Sequence, residues 1–284
     1  MAARIAVVTD LLSEGHFYPL WHGYYGGLFG AANLFVVTYG DAAPLATLKL
    51  GGVMRLPVGY SNDVRAQVMT DLVALLLGAY DVVIRVVADE ILVVDPRVAA
   101  NLRDYIEDTD RPYYTARGFD VVQTPEEAPL RPGGAVLAQR QVAYQNTAGN
   151  KTCITRVPVH WSAGFHWCSC YPECGPLFML HLKRIDVDWQ MAWYEEFGRA
   201  LDANPAVPEA TRAKYRPDRD TILQYHRGVS SRRRVAGIEN WYRDEVQAQF
   251  FDAITYRPRD DLYVGDFRHD HALCELPAEW RALL

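Results

Sequence analysis

Cysteine is sparse in this chain: five residues in 284, an odd number at no regular spacing. That excludes the even disulfide framework that staples small secreted domains, and reduced thiols are the expectation. Positive charge is not in excess either. With 29 Lys and Arg against 35 Asp and Glu, the formal net charge of -6 argues against a protein whose main task is to coat nucleic acid. No apolar run approaches the roughly 18 to 20 residues of a membrane-spanning helix, and the opening "MAARIAVVTD" carries no basic n-region or long apolar signal segment. A soluble, cytoplasmic protein is expected on those grounds. Internal repeats and low-complexity segments are missing too, although proline and glycine thicken in "TPEEAPLRPGG", residues 124–134, which reads as a surface connection.

What is present is apolar material, half of all residues, enough for a sizeable core in one large domain or a domain with an appendage. "RIAVVTD" reads as a first strand, "EGHFYPLWHGYYGGLFGA" as a helix, "NLFVVTYGD" and "GVMRLPVG" as strands, and "SNDVRAQVMTDLVALLLGAY" as a helix capped by Ser61 or Asn62. "DVVIRVVADEILVVDP" then reads as one strand with both faces buried. Asp89 and Glu90 interrupt its β-branched run, and an unpaired buried carboxylate costs several kcal/mol. Strands alternating with helices imply right-handed crossovers and a mostly parallel sheet whose ligand sites lie at the strands' carboxyl ends. Beyond Pro96 a helix, "RVAANLRDYIEDTD", precedes the strand-like "PYYTARGFDVVQ", "AVLAQRQVAYQ", "KTCITRVPVHW" and "LFMLHLKRID". From residue 186 helical periodicity returns, around a basic "SSRRRV" that reads as a solvated face or as a loop over a ligand.

This order of elements, with an acidic turn, "VADEI", after a valine-rich strand, resembles the bacterial family 2-like glycosyltransferases of the GT-A fold. "KTCITRVPVHWSAGFHWCS" is similar to that branch's Lys-led strand and Gly-x-His turn, and "LFMLHLKRID" to its strand with a late His. The resemblance runs over residues 4–190. It implies an α/β fold with a mostly parallel central sheet and helices on both faces: a catalytic domain over 1–190, its nucleotide-binding half over about 1–95 and its acceptor half over about 96–190. Residues 191–284 are expected to form a helical C-terminal extension.

The resemblance also assigns roles. Asp89 is the expected ligand of Mn or Mg bridging the donor's diphosphate, with Glu90 beside it, and His166 and His181 are the histidines expected to complete the metal's coordination. Val87 stands where the family's DxD pattern has its first Asp, which weakens the case for a required metal. Thr9, Asp10 and Glu14 fall where the fold holds the base and ribose, and Asp41 follows the second strand by the same logic. Lys151, Arg156, Lys183 and Arg184 are cations suited to a diphosphate. Strand alternation places Lys183 on the face of His181, and Arg184 on the opposite one. For the catalytic base, Glu173 and Asp120 are both open.

"HWCSCYPEC" crowds Cys168, Cys170 and Cys174 beside His166, but not at the spacing of common zinc knuckles, and "FRHDH" places His269 and His271 around Asp270. The expected activity is transfer of a sugar from a nucleotide diphosphate donor to a glycan or lipid-linked acceptor. The alternatives are a non-catalytic GT-A-like protein that binds nucleotide or glycan, and a nucleotidyltransferase, against which "VVTDLLSEGHF" lacks a glycine-rich phosphate loop.

Overall fold

The structure, a computed structural model, describes residues 2–12, 15–39, 49–56, 61–202, 207, 209–270 and 272–284. Its first half alternates strand and helix as the pattern predicts: β1 (Ile5–Leu11), α1 (Phe17–Phe29), β2 (Leu34–Thr38), β3 (Gly52–Arg55), α2 (Asn62–Leu76) and β4 (Val82–Arg85). β5 (Glu90–Val94), α3 (Leu102–Glu107), β6 (Tyr113–Val121), β7 (Val142–Gln145), β8 (Thr152–Thr155) and β9 (Cys174–His181) follow. The C-terminal part holds α4 (Val187–Asp202), α5 (Glu209–Lys214), α6 (Arg219–Ser230), β10 (Arg233–Val235), α7 (Asp244–Asp252), β11 (Thr255–Arg257), β12 (Leu262–Val264), β13 (Ala272–Glu275) and α8 (Ala278–Arg281).

The fold is α/β around a central sheet. Its N-terminal half, in the order β3-β2-β1-β4, is parallel throughout, and antiparallel pairings enter beyond β4 through β8, β6 and β7. Alternation along β1 sets the two faces. Ile5, Val7 and Leu11 pack with Trp21 and Tyr25 of α1, whereas Ala6 and Val8 pack with Met69 and Val73 of α2. Ser61 caps α2 by accepting from the Val64 amide, one of the two caps expected.

The stretch read as one strand is two. β4 stops at Arg85 and pairs with β1 and β8, and the chain then turns through residues 86–89 into β5, which pairs with β9. Burial on both sides made the run look continuous. The Glu90 amide donating to the Val87 carbonyl closes the turn that breaks it.

Residues 191–284 hold the expected helices, but they also complete the sheet. β13 pairs antiparallel with β7, and the basic run supplies β10, paired with β13 and carrying exposed Arg233 and Arg234. No described helix is long and apolar enough to cross a membrane.

Candidate functional site

The acidic turn sits where sheet register gathers charge. In β5-β9 pairing Glu90 lies opposite His181, and in β6-β9 pairing His181 lies beside Asp120. Three strands far apart in sequence therefore place Asp89, Glu90, His181 and Asp120 together. α1 fixes the turn from the other side. The Tyr25 hydroxyl donates to the Glu90 carbonyl at 3.1 Å and accepts from the Leu92 amide at 3.0 Å, while the Tyr24 hydroxyl donates to the Leu92 carbonyl at 2.6 Å. These phenols serve backbone groups of β5 as a neighbouring strand would.

His181 is held between two carboxylates: Nε2 lies 3.2 Å from Asp89 Oδ2 and Nδ1 2.5 Å from Asp120 Oδ1. Burial disfavours its charge, but Asp89 and Asp120 outweigh that and raise its pKa to about 9, so the ring is an imidazolium at neutral pH. Asp120 is buried as well and also accepts from Arg184 Nη1, the Tyr144 hydroxyl and Asn146 Nδ2 at 2.8, 2.6 and 2.8 Å. Against its burial, Arg184 and His181 hold it far below the usual carboxylate range. It is therefore a poor proton acceptor. Tyr144 in turn bonds to Tyr225 of α6, tying the C-terminal region to the site.

Glu90 takes Lys151 Nζ at 2.5 Å and the Val87 amide at 2.9 Å. Burial would raise its pKa, but Lys151, Arg85 and His181 bring it down to about 2. His166 is the opposite kind of histidine. Burial and the Lys151 charge push it down to about 4, and its Nδ1 lies 2.8 Å from the Ala148 carbonyl, the geometry of a neutral ring donating from that nitrogen.

At the end of β1, Asp10 faces α2 and is paired with Arg65, while one carboxylate oxygen of Asp10 and the Thr9 hydroxyl are buried without a hydrogen-bond partner. Glu14, Asp41 and His271 lie outside the described residues. Glu173 is exposed, 3.7 Å from Arg111, next to the start of β9. Along β9, whose first residue is Cys174, the strand runs roughly 23 Å at about 3.3 Å per step before it reaches His181. Arg156 donates to the carbonyls of Ile106 and Thr109, away from the turn.

Alternation misplaces the two cations after His181. β9 ends at His181 and the chain turns, so Arg184 shares Asp120 with His181, and the Lys183 ammonium lies over the Trp193 ring at 3.6 Å, beside Tyr194. The period-two rule fails because the strand has stopped.

The donors expected for Mn or Mg do not form a ligand set as they stand. Both ring nitrogens of His181 face carboxylates, Nε2 towards Asp89 and Nδ1 towards Asp120, so each is already engaged. Asp89 already has a cationic partner in that ring. Among the described residues no group of three or more His, Cys, Asp or Glu is arranged to hold a metal ion, the Cys168, Cys170 and Cys174 cluster included.

Sequence reasoning passed over Arg85, Arg65, Tyr144 and Tyr225. Arg85 had a signal: it is a charge inside "DVVIRVV", as anomalous as the carboxylates four and five residues later.

No family model matches the chain, and no curated protein matches it. Among solved structures it is similar to the mannose-1-phosphate geranyltransferase of Thermus thermophilus, at 12% identity over 74% of this chain and 68% of that one, with a TM-score of 0.28. A likeness at that level carries no argument about activity.

Proposed function

We propose that the chain is a glycosyltransferase that takes a sugar from a nucleotide diphosphate donor seated at the carboxyl ends of β1 and β4. The observation that supports this best is the acidic turn: a carboxylate pair outside β4, beside Lys151 and an imidazolium, at the point where strand order reverses about β1. Open α/β sheets bind ligands in that crevice.

In such a transfer the bond from the sugar's anomeric carbon to the phosphate oxygen breaks with its electron pair going to the diphosphate, an acceptor hydroxyl oxygen bonds to that carbon, and the hydroxyl's proton passes to a carboxylate or to the leaving diphosphate. The leaving diphosphate accumulates negative charge, which fixed cations stabilise without reorganising. Lys151 and His181 are such cations, held in place by Glu90 and by the Asp89 and Asp120 pair. Asp89, the less buried acid of the turn, is the residue assigned to meet a hydroxyl of donor or acceptor. No step is routed through a metal. The acceptor is a glycan or lipid-linked saccharide by the same reading.

The test is thermal unfolding with UDP, GDP, CMP and dTDP in turn. A ligand that binds only the folded state raises Tm, by a free energy of about 2.7 kcal/mol at a hundred times its Kd. One of these nucleotides is expected to raise Tm, and Asp89→Asn is expected to abolish transfer with the matching sugar nucleotide. No shift with any of them would remove the donor reading. Saturable nucleotide binding without transfer to any saccharide would favour a non-catalytic binding protein.

A further inference from the structure

Arg85 is fully buried, and none of its guanidinium nitrogens has a hydrogen-bond partner. Its guanidinium carbon lies 3.4 Å from the centroid of the Phe165 ring. That ring is held by an unusual backbone: Phe165 has φ +62°, directly after Gly164 at φ +77°. Left-handed conformation at a bulky residue is strained and persists only where surrounding structure imposes it. Arginine stays protonated in proteins, so this is a buried charge with five unused donors.

The surroundings do not cancel it. Asp10 and Glu90 both act on Arg85 through space, but Asp10 is paired with Arg65 and Glu90 with Lys151. One positive charge is left over. It lies on the α2 side, on the last residue of β4, in register with Val8 of β1 and two residues short of Asp10 along that face. Open α/β sheets take their ligands near this end of the strands, at the switch point, and the guanidinium lies buried beneath it. With one guanidinium face covered by Phe165, its buried, unpartnered donors are left as a fork that matches the oxygens of a phosphate.

We infer that Arg85, seated on Phe165, joins Lys151 and His181 as a cation that receives the donor's diphosphate, in place of a divalent metal. The inference rests on the donor reading above and goes beyond it by making that binding independent of metal. It accounts together for the unmatched charge, the strained turn beneath it and an acidic turn whose Asp89 already lies 3.2 Å from His181 Nε2.

The experiment is calorimetric titration of inorganic pyrophosphate and of the four nucleoside diphosphates UDP, GDP, CDP and dTDP into the full chain, in EDTA and again with excess Mg. Pyrophosphate is expected to bind in EDTA, with an affinity that Mg changes by less than about threefold once its own complexation is subtracted. Arg85→Met is expected to weaken it at least about tenfold, the size of a charge-assisted hydrogen bond. The same variant without ligand is expected to unfold at higher urea than wild type, because an uncompensated buried charge has been removed. Should Arg85→Met fail to fold, Phe165→Leu replaces it, with a several-fold loss of affinity expected. Binding only with Mg, or wild-type affinity in the variant, overturns the inference. A nucleoside diphosphate that binds wild type and variant equally defeats this inference and leaves the donor reading standing. Arg85-dependent pyrophosphate binding that no nucleoside improves does the reverse.

Discussion

His181 and His166 differ in the company each keeps, and the difference is measurable. His181, raised to about 9 by Asp89 and Asp120, contributes stability fully present below its unfolded pKa of about 6.5, and loses it as pH rises through 9. His166, lowered to about 4, contributes in the other direction: its share is present above about 6.5 and lost as pH falls through 4. Urea unfolding from pH 4 to 9 is therefore expected to peak near neutrality, with the alkaline loss at most about 3 kcal/mol from His181. His181→Gln is expected to flatten the alkaline limb and His166→Gln the acid limb. An alkaline limb unchanged in His181→Gln contradicts the imidazolium assignment. A sequence shows that both histidines sit among apolar residues. It does not show that one of them lies between two carboxylates, because those arrive from β6 and from the turn before β5.

At the scale of elements, the site depends on how β5 is held. Tyr25 bridges the Glu90 carbonyl and the Leu92 amide, so Tyr25→Phe removes one hydroxyl and leaves two buried backbone groups short of a partner. A loss of about 1 to 3 kcal/mol in urea unfolding is expected, with hydrogen exchange accelerated at the Leu92 amide. Unchanged exchange there would mean that α1 does not secure the turn. β1, β2 and α2 were legible because local rules decide them: an apolar run, a capping serine, a helical period. The division between β4 and β5 was not. Valines on both sides of Asp89 carry no turn residue, and the break is set by which neighbour each half pairs with, β8 for one and β9 for the other. Arg184 and Lys183 were exchanged for a related reason, since alternation applies only while a strand continues.

At the scale of the whole molecule, the C-terminal third is part of the body that carries the site. Trp241 and Trp280 are buried in the main core. Trp241 packs on Phe119 at 4.3 Å and the Trp280 indole donates to the Val94 carbonyl at 3.0 Å. β13 covers the edge of β7, and Tyr225 reaches Tyr144 beside Asp120. A chain cut after residue 190 loses all of these and is expected to show no cooperative urea transition, whereas a sharp one would establish residues 1–190 as an independent domain. Helical periodicity marked α4, α6 and α7 but not the short α5 and α8, and gave no sign that three-residue β10 and four-residue β13 extend the sheet. Strands that short carry almost no pattern, and both lie far along the chain from β7, the strand they extend.

On the proposed reading, a nucleoside diphosphate is expected to bind beside the acidic turn after β4, next to Arg85 on the Phe165 ring. Hydrogen–deuterium exchange with and without the nucleotide that raises Tm tests it most directly, because it reports position on the intact chain. Slowed exchange at residues 86–90 and 163–166 is the expected result. The other described clefts, such as the one lined by Met191, Tyr194, Arg199 and Tyr215, are expected to be unchanged. Protection confined to such a cleft, with the two turns exchanging as in the free protein, would contradict the account.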